Sequence, residues 1–149
     1  MEAIIFIGIQ GAGKSTFYRD RFFNTHIRIN LDMLKTRHRE QIFLQACLET
    51  KQRFVVDNTN PTVEERKRYI TLAKAKGFRV VGYYFQSKLE DCKQRNSQRL
   101  PEDIVPLVGL LATYKKLDLP SWSEEFDALY SVKNHLNNSF VVEEWNREI

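Results

Sequence analysis

Apolar residues along this chain fall into two rhythms. Short apolar runs, bounded by turn residues, occur at 3–8 (Ala3-Ile4-Ile5-Phe6-Ile7-Gly8), Ile27-Arg28-Ile29, Arg53-Phe54-Val55-Val56-Asp57, 79–85 and 126–132. They are too short for helices and rich in β-branched and aromatic residues, so each predicts a strand. Helix-like segments lie between them. One runs from Lys14 to near Asn24. A long one spans about Asp32 to Glu49, with Ile42, Phe43, Ala46 and Cys47 as its apolar stripe. Thr62-Val63-Glu64-Glu65 is a capping box that opens the next helix, and Gly77 sits where that helix should stop. Ser87-Lys88-Leu89-Glu90 is a second capping box, opening a helix that runs into Arg95–Arg99, and Pro106 suits the first turn of a helix reaching about Leu117. Phe140-Val141-Val142 is short enough to be one more strand. Strand and helix alternate throughout, which predicts an α/β fold with a mainly parallel five-stranded sheet and flanking helices.

Composition adds bounds. At 149 residues, 42% hydrophobic and 28% charged, the chain fits one globular domain over 1–149. No apolar stretch approaches the ~18 residues that span a bilayer. The start has neither a basic segment nor a small-residue cleavage site, so no signal peptide is expected. Cys47 and Cys92 fall in helix-like segments, as buried thiols would, and His26, His38 and His135 lack ligand spacing. The expectation is a cytoplasmic protein whose only metal is Mg²⁺ carried in with a nucleotide. The net charge of +4 is uneven: residues 1–100 hold nineteen Lys/Arg against ten Asp/Glu, and residues 101–149 hold four against nine. A basic first part suits an anionic donor, and also an anionic acceptor such as nucleic acid.

The chemistry is concentrated at Gly8-Ile9-Gln10-Gly11-Ala12-Gly13-Lys14-Ser15, directly after the first strand. Glycines let backbone N–H groups close around a polyphosphate, where side chains would block the approach. Lys14 reaches β- and γ-phosphate oxygens, Ser15 offers its hydroxyl to Mg²⁺, and the following helix presents its positive end. Three further features admit two readings each. Asp57 ends an apolar strand, where a phosphate site keeps an Mg²⁺-binding acid, yet Asp57-Asn58 is also turn chemistry. Asp32, just beyond the second strand, is placed either to take a proton from an attacking hydroxyl or to N-cap the long helix. Arg95 and Arg99, four apart, share a helix face that either closes over phosphates or is merely solvated.

In their order along the chain, the glycine loop, Asn30-Leu31-Asp32, Asp57-Asn58-Thr59-Asn60-Pro61, Arg95-Asn96-Ser97-Gln98-Arg99, Val105-Pro106 and Pro120…Glu125-Phe126-Asp127 resemble the kinase domain of phage and animal polynucleotide 5′-hydroxyl kinases. The resemblance implies an adenylate-kinase-like P-loop NTPase fold and transfer of the γ-phosphate of ATP to a 5′-hydroxyl end of DNA or RNA. It makes Lys14, Asp32 and Arg99 catalytic, with Asp32 the general base. It assigns Gly8, Gly11, Ala12, Gly13, Lys14, Ser15, Thr16, Arg95 and Arg99 to ATP, Ser15 and Asp57 to Mg²⁺, and Lys35, Thr59 and Asn60 to the acceptor. Two residues depart from the pattern. Lys35 stands where the family often has an arginine and cannot make its bidentate grip. Leu31 stands where a polar residue is common. Arg37 is an alternative to Lys35, but on a regular helix it points elsewhere. The absence of an Asp-x-Asp-x-Thr motif predicts no 3′-phosphatase domain. The rival expectations are a P-loop kinase of a small molecule or aminoacyl-tRNA, and an ATP-binding module that transfers to nothing.

Overall fold

Strand β1 (Glu2–Ile7) is the centre of the molecule. Ala3 to Ile7 are all essentially inaccessible, as expected of a parallel strand covered on both faces. The computed structural model describes residues 1–86, 88–134 and 139–146. In it, β2 (Ile27–Ile29), β3 (Phe54–Val56), β4 (Arg79–Gln86) and β5 (Ala128–Asn134) join β1 in the order β2-β3-β1-β4-β5, all parallel. These are the five strands that the apolar runs predict. The tail segment at Phe140 is a strand as well: β6 (Phe140–Glu144) adds a sixth, antiparallel to β5, with Val142 opposite Val132.

Alternate residues of β1 serve two cores. Ile5 and Ile7 pack with Leu44 and Leu48 of α3 (Arg37–Thr50) and with Ile70 of α4 (Val63–Ala75). Ile4 and Phe6 face α1 (Lys14–Arg21), α5 (Leu89–Ser97) and α6 (Leu107–Lys116) through Phe17, Cys92 and Leu110. On that second face Phe6, Phe17 and Phe85 form a cluster with ring centroids 4.9–5.8 Å apart. Cys47 and Cys92 are buried as expected, on opposite faces of the sheet, so no disulfide joins them.

The long helix predicted over 32–49 is in fact two. A short α2 (Leu31–Leu34) ends at Lys35, whose φ of 77° leaves helical space, and Thr36 then N-caps α3 by accepting from Arg39 N–H. The restart re-phases the helix. Its sheet-facing positions are Glu40, Leu44, Cys47 and Leu48, while Ile42, Phe43 and Ala46 of the expected stripe are exposed. Both sets suit a helical period, and the break decides between them. Thr62 caps α4 as predicted, accepting from Glu65 N–H at 3.2 Å. The capping box expected at Ser87 lies outside the described residues. Among the described residues, no helix is long and apolar enough to cross a membrane.

A buried ion pair fixes the far loop to this frame. Arg66 of α4 is fully inaccessible and meets Glu124 through two parallel contacts, Nε–Oε1 at 2.8 Å and Nη2–Oε2 at 3.1 Å. Its third nitrogen donates to the carbonyls of Asn60 and Asp118, both at 3.0 Å. Truncating one partner leaves an uncompensated buried charge. Glu124→Ala is therefore expected to lower unfolding stability by about 3–5 kcal/mol in urea titrations, whereas pairing Glu124→Leu with Arg66→Met recovers most of the loss.

Candidate active site

The carboxyl ends of β1, β2 and β3 open into one cavity of about 640 Å³. The loop after β1 forms its floor. Gly8 N–H donates to the Thr59 carbonyl at 3.0 Å, which ties this loop to the one after β3. Gly11 has φ of 79°, and a Cβ there would collide with the Cys92 carbonyl at the start of α5. Gly13, with φ of 95°, precedes α1 in a left-handed conformation that favours glycine. Ala12 is buried. The first-turn N–H groups of Lys14, Ser15 and Thr16 have no partner within the helix, and they offer donors to an anion.

Lys14 is buried, and its Nζ folds back onto the carbonyls of Gly8 and Ile9, both at 2.8 Å. Burial pushes its pKa down from 10.5 to about 8, only partly offset by the charge of Asp57. Ser15 Oγ donates to Asp57 Oδ2 at 3.2 Å. Asp57 is 2% exposed and lines the cavity. Asn30 Nδ2 donates to the Asp57 carbonyl at 2.5 Å, holding the two loops in register. A hydroxyl and a carboxylate are hard oxygen donors. Together they would suit an Mg²⁺ ion brought in with a nucleotide, which would supply neutralising charge to its phosphates. Among the described residues there is no group of three His, Cys, Asp or Glu side chains that would hold a metal alone.

Sequence reasoning missed Arg28. It stands in the middle of β2, between Ile27 and Ile29, and its Nε donates to Asp57 Oδ2 at 2.8 Å while Nη2 donates to Ser15 Oγ at 2.9 Å. The available signal was a charged residue inside an apolar three-residue strand.

Asp32 is exposed in the first turn of α2, lines the cavity, and makes no hydrogen bond or ion pair with the described residues. The capping role left open for it belongs to Asn30, whose Oδ1 accepts from Met33 N–H at 2.9 Å. Lys35 is exposed and absent from the cavity lining. Arg37 lines the cavity instead, because the break at Lys35 removes the regular helix that would have turned it away. Arg37 Nη1 reaches Glu40 Oε1 and the Tyr69 hydroxyl, both at 3.0 Å. Arg68 meets the same carboxylate at 3.2 Å and also lines the cavity. Glu40 is fully buried and also accepts from Asn58 Nδ2 and the Tyr69 hydroxyl, each at 2.9 Å. Arg68 and Glu40 were not foreseen. Thr59 and Asn60 are on the lining, although the Asn60 amide is committed to the Phe6 carbonyl at 2.7 Å.

Arg95 and Arg99 close the other side. Arg95 Nη1 donates to the Gly11 carbonyl at 2.9 Å, and Arg99, two residues beyond α5, is exposed at the lining. Asn96 between them is buried and clamps Val105 both ways, donating to its carbonyl at 2.7 Å and accepting from its N–H at 3.1 Å. The loop between the arginines and α6 is thereby held at both ends.

The fold and the glycine loop define an α/β fold of the P-loop kinase type. Residues 4–108 match the AAA domain family, and the chain belongs to that family. It is 31% identical over 154 residues to an Acanthamoeba polyphaga mimivirus protein assigned as a bifunctional polynucleotide phosphatase/kinase, covering 98% of this chain and 37% of that one. It is 26% identical over 129 residues to the bifunctional polynucleotide phosphatase/kinase of Schizosaccharomyces pombe, covering 84% and 32%. The chain thus spans about a third of the length of these relatives. Among solved structures, Kti12 of Chaetomium thermophilum in complex with ADP-AlF3 superposes with a TM-score of 0.64 at 14% identity, over 88% of both chains.

Lys14 carries a measurable signature. In the free protein it loses its proton near pH 8, well below an exposed lysine, and anionic phosphates favour its charged form. Nucleotide binding is therefore expected to take up a proton between about pH 8 and 10 and none below pH 7, with affinity falling as pH rises through 8. Calorimetry in buffers of different ionisation enthalpy reads the uptake, and Lys14→Met is expected to abolish it.

Proposed function

We propose that this chain is a kinase domain that moves the γ-phosphate of ATP to the 5′-hydroxyl end of a polynucleotide. The observation that carries the reading is the position of Asp32. It is an exposed carboxylate without a partner among the described residues, on the cavity wall shared by Lys14, Ser15, Arg95 and Arg99. The names of the relatives support the acceptor class.

The backbone of residues 8–15 and Lys14 hold the β- and γ-phosphates of ATP. Mg²⁺, held by Ser15 and Asp57, would neutralise phosphate charge when bound. Asp32 accepts the acceptor proton as the hydroxyl oxygen forms its bond to the γ-phosphorus and the bond from that phosphorus to the β,γ-bridging oxygen breaks. Arg99, with Arg95, stabilises the equatorial oxygens of the moving group, and ADP leaves. Arg37 grips an acceptor phosphate in place of the arginine missing at position 35, because its planar fork suits that anion and Lys35 does not line the cavity.

Radiolabelled ATP tests the reading against both a 5′-hydroxyl oligonucleotide and a panel of sugars, polyols and nucleosides. The expected outcome is label on the oligonucleotide 5′ end. Label on a small alcohol in preference would instead make this a small-molecule kinase. Asp32→Asn is expected to bind ATP normally and to lose about 10²–10⁴ in transfer rate. More than a tenth of the wild-type rate would remove Asp32 as the base. Arg37→Gln is expected to raise the oligonucleotide KM by about tenfold or more through loss of a charged hydrogen bond, leaving the KM for ATP unchanged.

A further inference from the structure

Arg28 has no role in the mechanism above, yet it is bound to two residues of the cavity wall, Ser15 and Asp57. Its two donors end on Ser15 Oγ and Asp57 Oδ2, the same oxygens that fit the divalent ion. We propose that Arg28 is a place-holding cation: it fills the divalent-ion position while that position awaits a metal-bound nucleotide, and yields it on arrival. The inference rests on the phosphate and metal part of the reading above and not on the identity of the acceptor.

Three observations carry it. First, Asp57 is 2% exposed, and a buried carboxylate needs a counter-charge close by. Arg28 is its one ion-pair partner among the described residues. Second, Arg28 already holds the oxygens that an ion would use. Ser15 Oγ gives its proton to Asp57 Oδ2 and accepts from Arg28 Nη2 at 2.9 Å, while Arg28 Nε donates to the same Oδ2 at 2.8 Å. An ion bound to both of these oxygens competes with the guanidinium for them. Third, Arg28 is free to leave. Its backbone is fixed in β2 opposite Val55, but its side chain is 26% exposed, and the Tyr18 ring, 6.0 Å from its Cζ, flanks it. The exchange keeps Asp57 neutralised throughout. The cost of displacing Arg28 is met only when a nucleotide brings further oxygen ligands, so the metal alone should bind weakly.

Thermal denaturation with MgCl₂ alone, and ADP binding titrated with MgCl₂, test this without any turnover. The wild type is expected to show no change in Tm with MgCl₂ alone. Arg28→Gln is expected to have a lowered Tm that MgCl₂ alone restores, and to need about tenfold less MgCl₂ for half-maximal ADP binding, the equivalent of one lost charged hydrogen bond. Arg28→Lys, which keeps the charge but exchanges the planar fork for a single ammonium, is expected to fall between the two, and it serves if the glutamine variant does not fold. A magnesium requirement unchanged in both variants would overturn the proposal and leave Arg28 a purely structural counter-ion. A lower ADP affinity of Arg28→Gln than of the wild type in EDTA would also overturn it, making Arg28 a phosphate ligand. Failure to label any oligonucleotide, with the magnesium shift intact, would remove the acceptor assignment and leave this inference standing.

Discussion

The four residues after β3 hold the site together. Asp57 receives Ser15 and Arg28, and its carbonyl receives Asn30. Asn58 accepts from Leu31 N–H, which fixes the start of the helix carrying Asp32, and donates to Glu40, which orients Arg37 and Arg68. The Thr59 carbonyl takes Gly8 N–H at the mouth of the phosphate loop, and Asn60 joins β1 to the Arg66–Glu124 pair. The phosphate loop, the start of α2 and the arginines of α3 and α4 are thus referred to one short loop. Asn60 takes a φ of 44° there, a left-handed conformation that asparagine tolerates better than most residues. Asn58 and Asn60 suit the task because an amide offers both a donor and an acceptor within a span too short for secondary structure, while the Asp57 carboxylate only accepts.

How much of this was legible in the sequence depends on whether a residue acts through local geometry or through a distant partner. The glycine loop was legible because close backbone approach and positive φ at Gly11 and Gly13 are local demands. The parallel sheet was legible because a strand covered on both faces must be apolar throughout. Arg28, Arg68 and Glu40 were not legible. Their roles come from residues 18 to 29 positions away, and a charged side chain in a strand or helix normally faces solvent. The break at Lys35 was hidden for another reason. Neither glycine nor proline marks it, and the competing stripe of Ile42, Phe43 and Ala46 has an acceptable helical period. One missed break moved both the buried face of α3 and the direction of Arg37.

The charge distribution of the cavity refines what the basic first hundred residues mean. Around the phosphate loop, Lys14, Arg95 and Arg99 share the lining with Asp57 and Asp32, and both carboxylates act on the Lys14 charge. Arg37 and Arg68 share the lining with Glu64 and Glu65, with Glu40 buried behind them. Under the proposed kinase reading, the positive excess lies with the triphosphate, and the side of Arg37 and Arg68 is close to balanced or slightly acidic. An end with that balance does not attract a long polyanion by field alone. Under the same reading it suits recognition of one phosphate by a directed guanidinium, Arg37, with Asp32 as the proton acceptor. The same carboxylates that weaken a general grip on a nucleic-acid backbone penalise any acceptor that brings its phosphate to the wrong place. Under the proposed kinase reading, specificity for a chain end follows from this near-balance more than from the net charge of the chain.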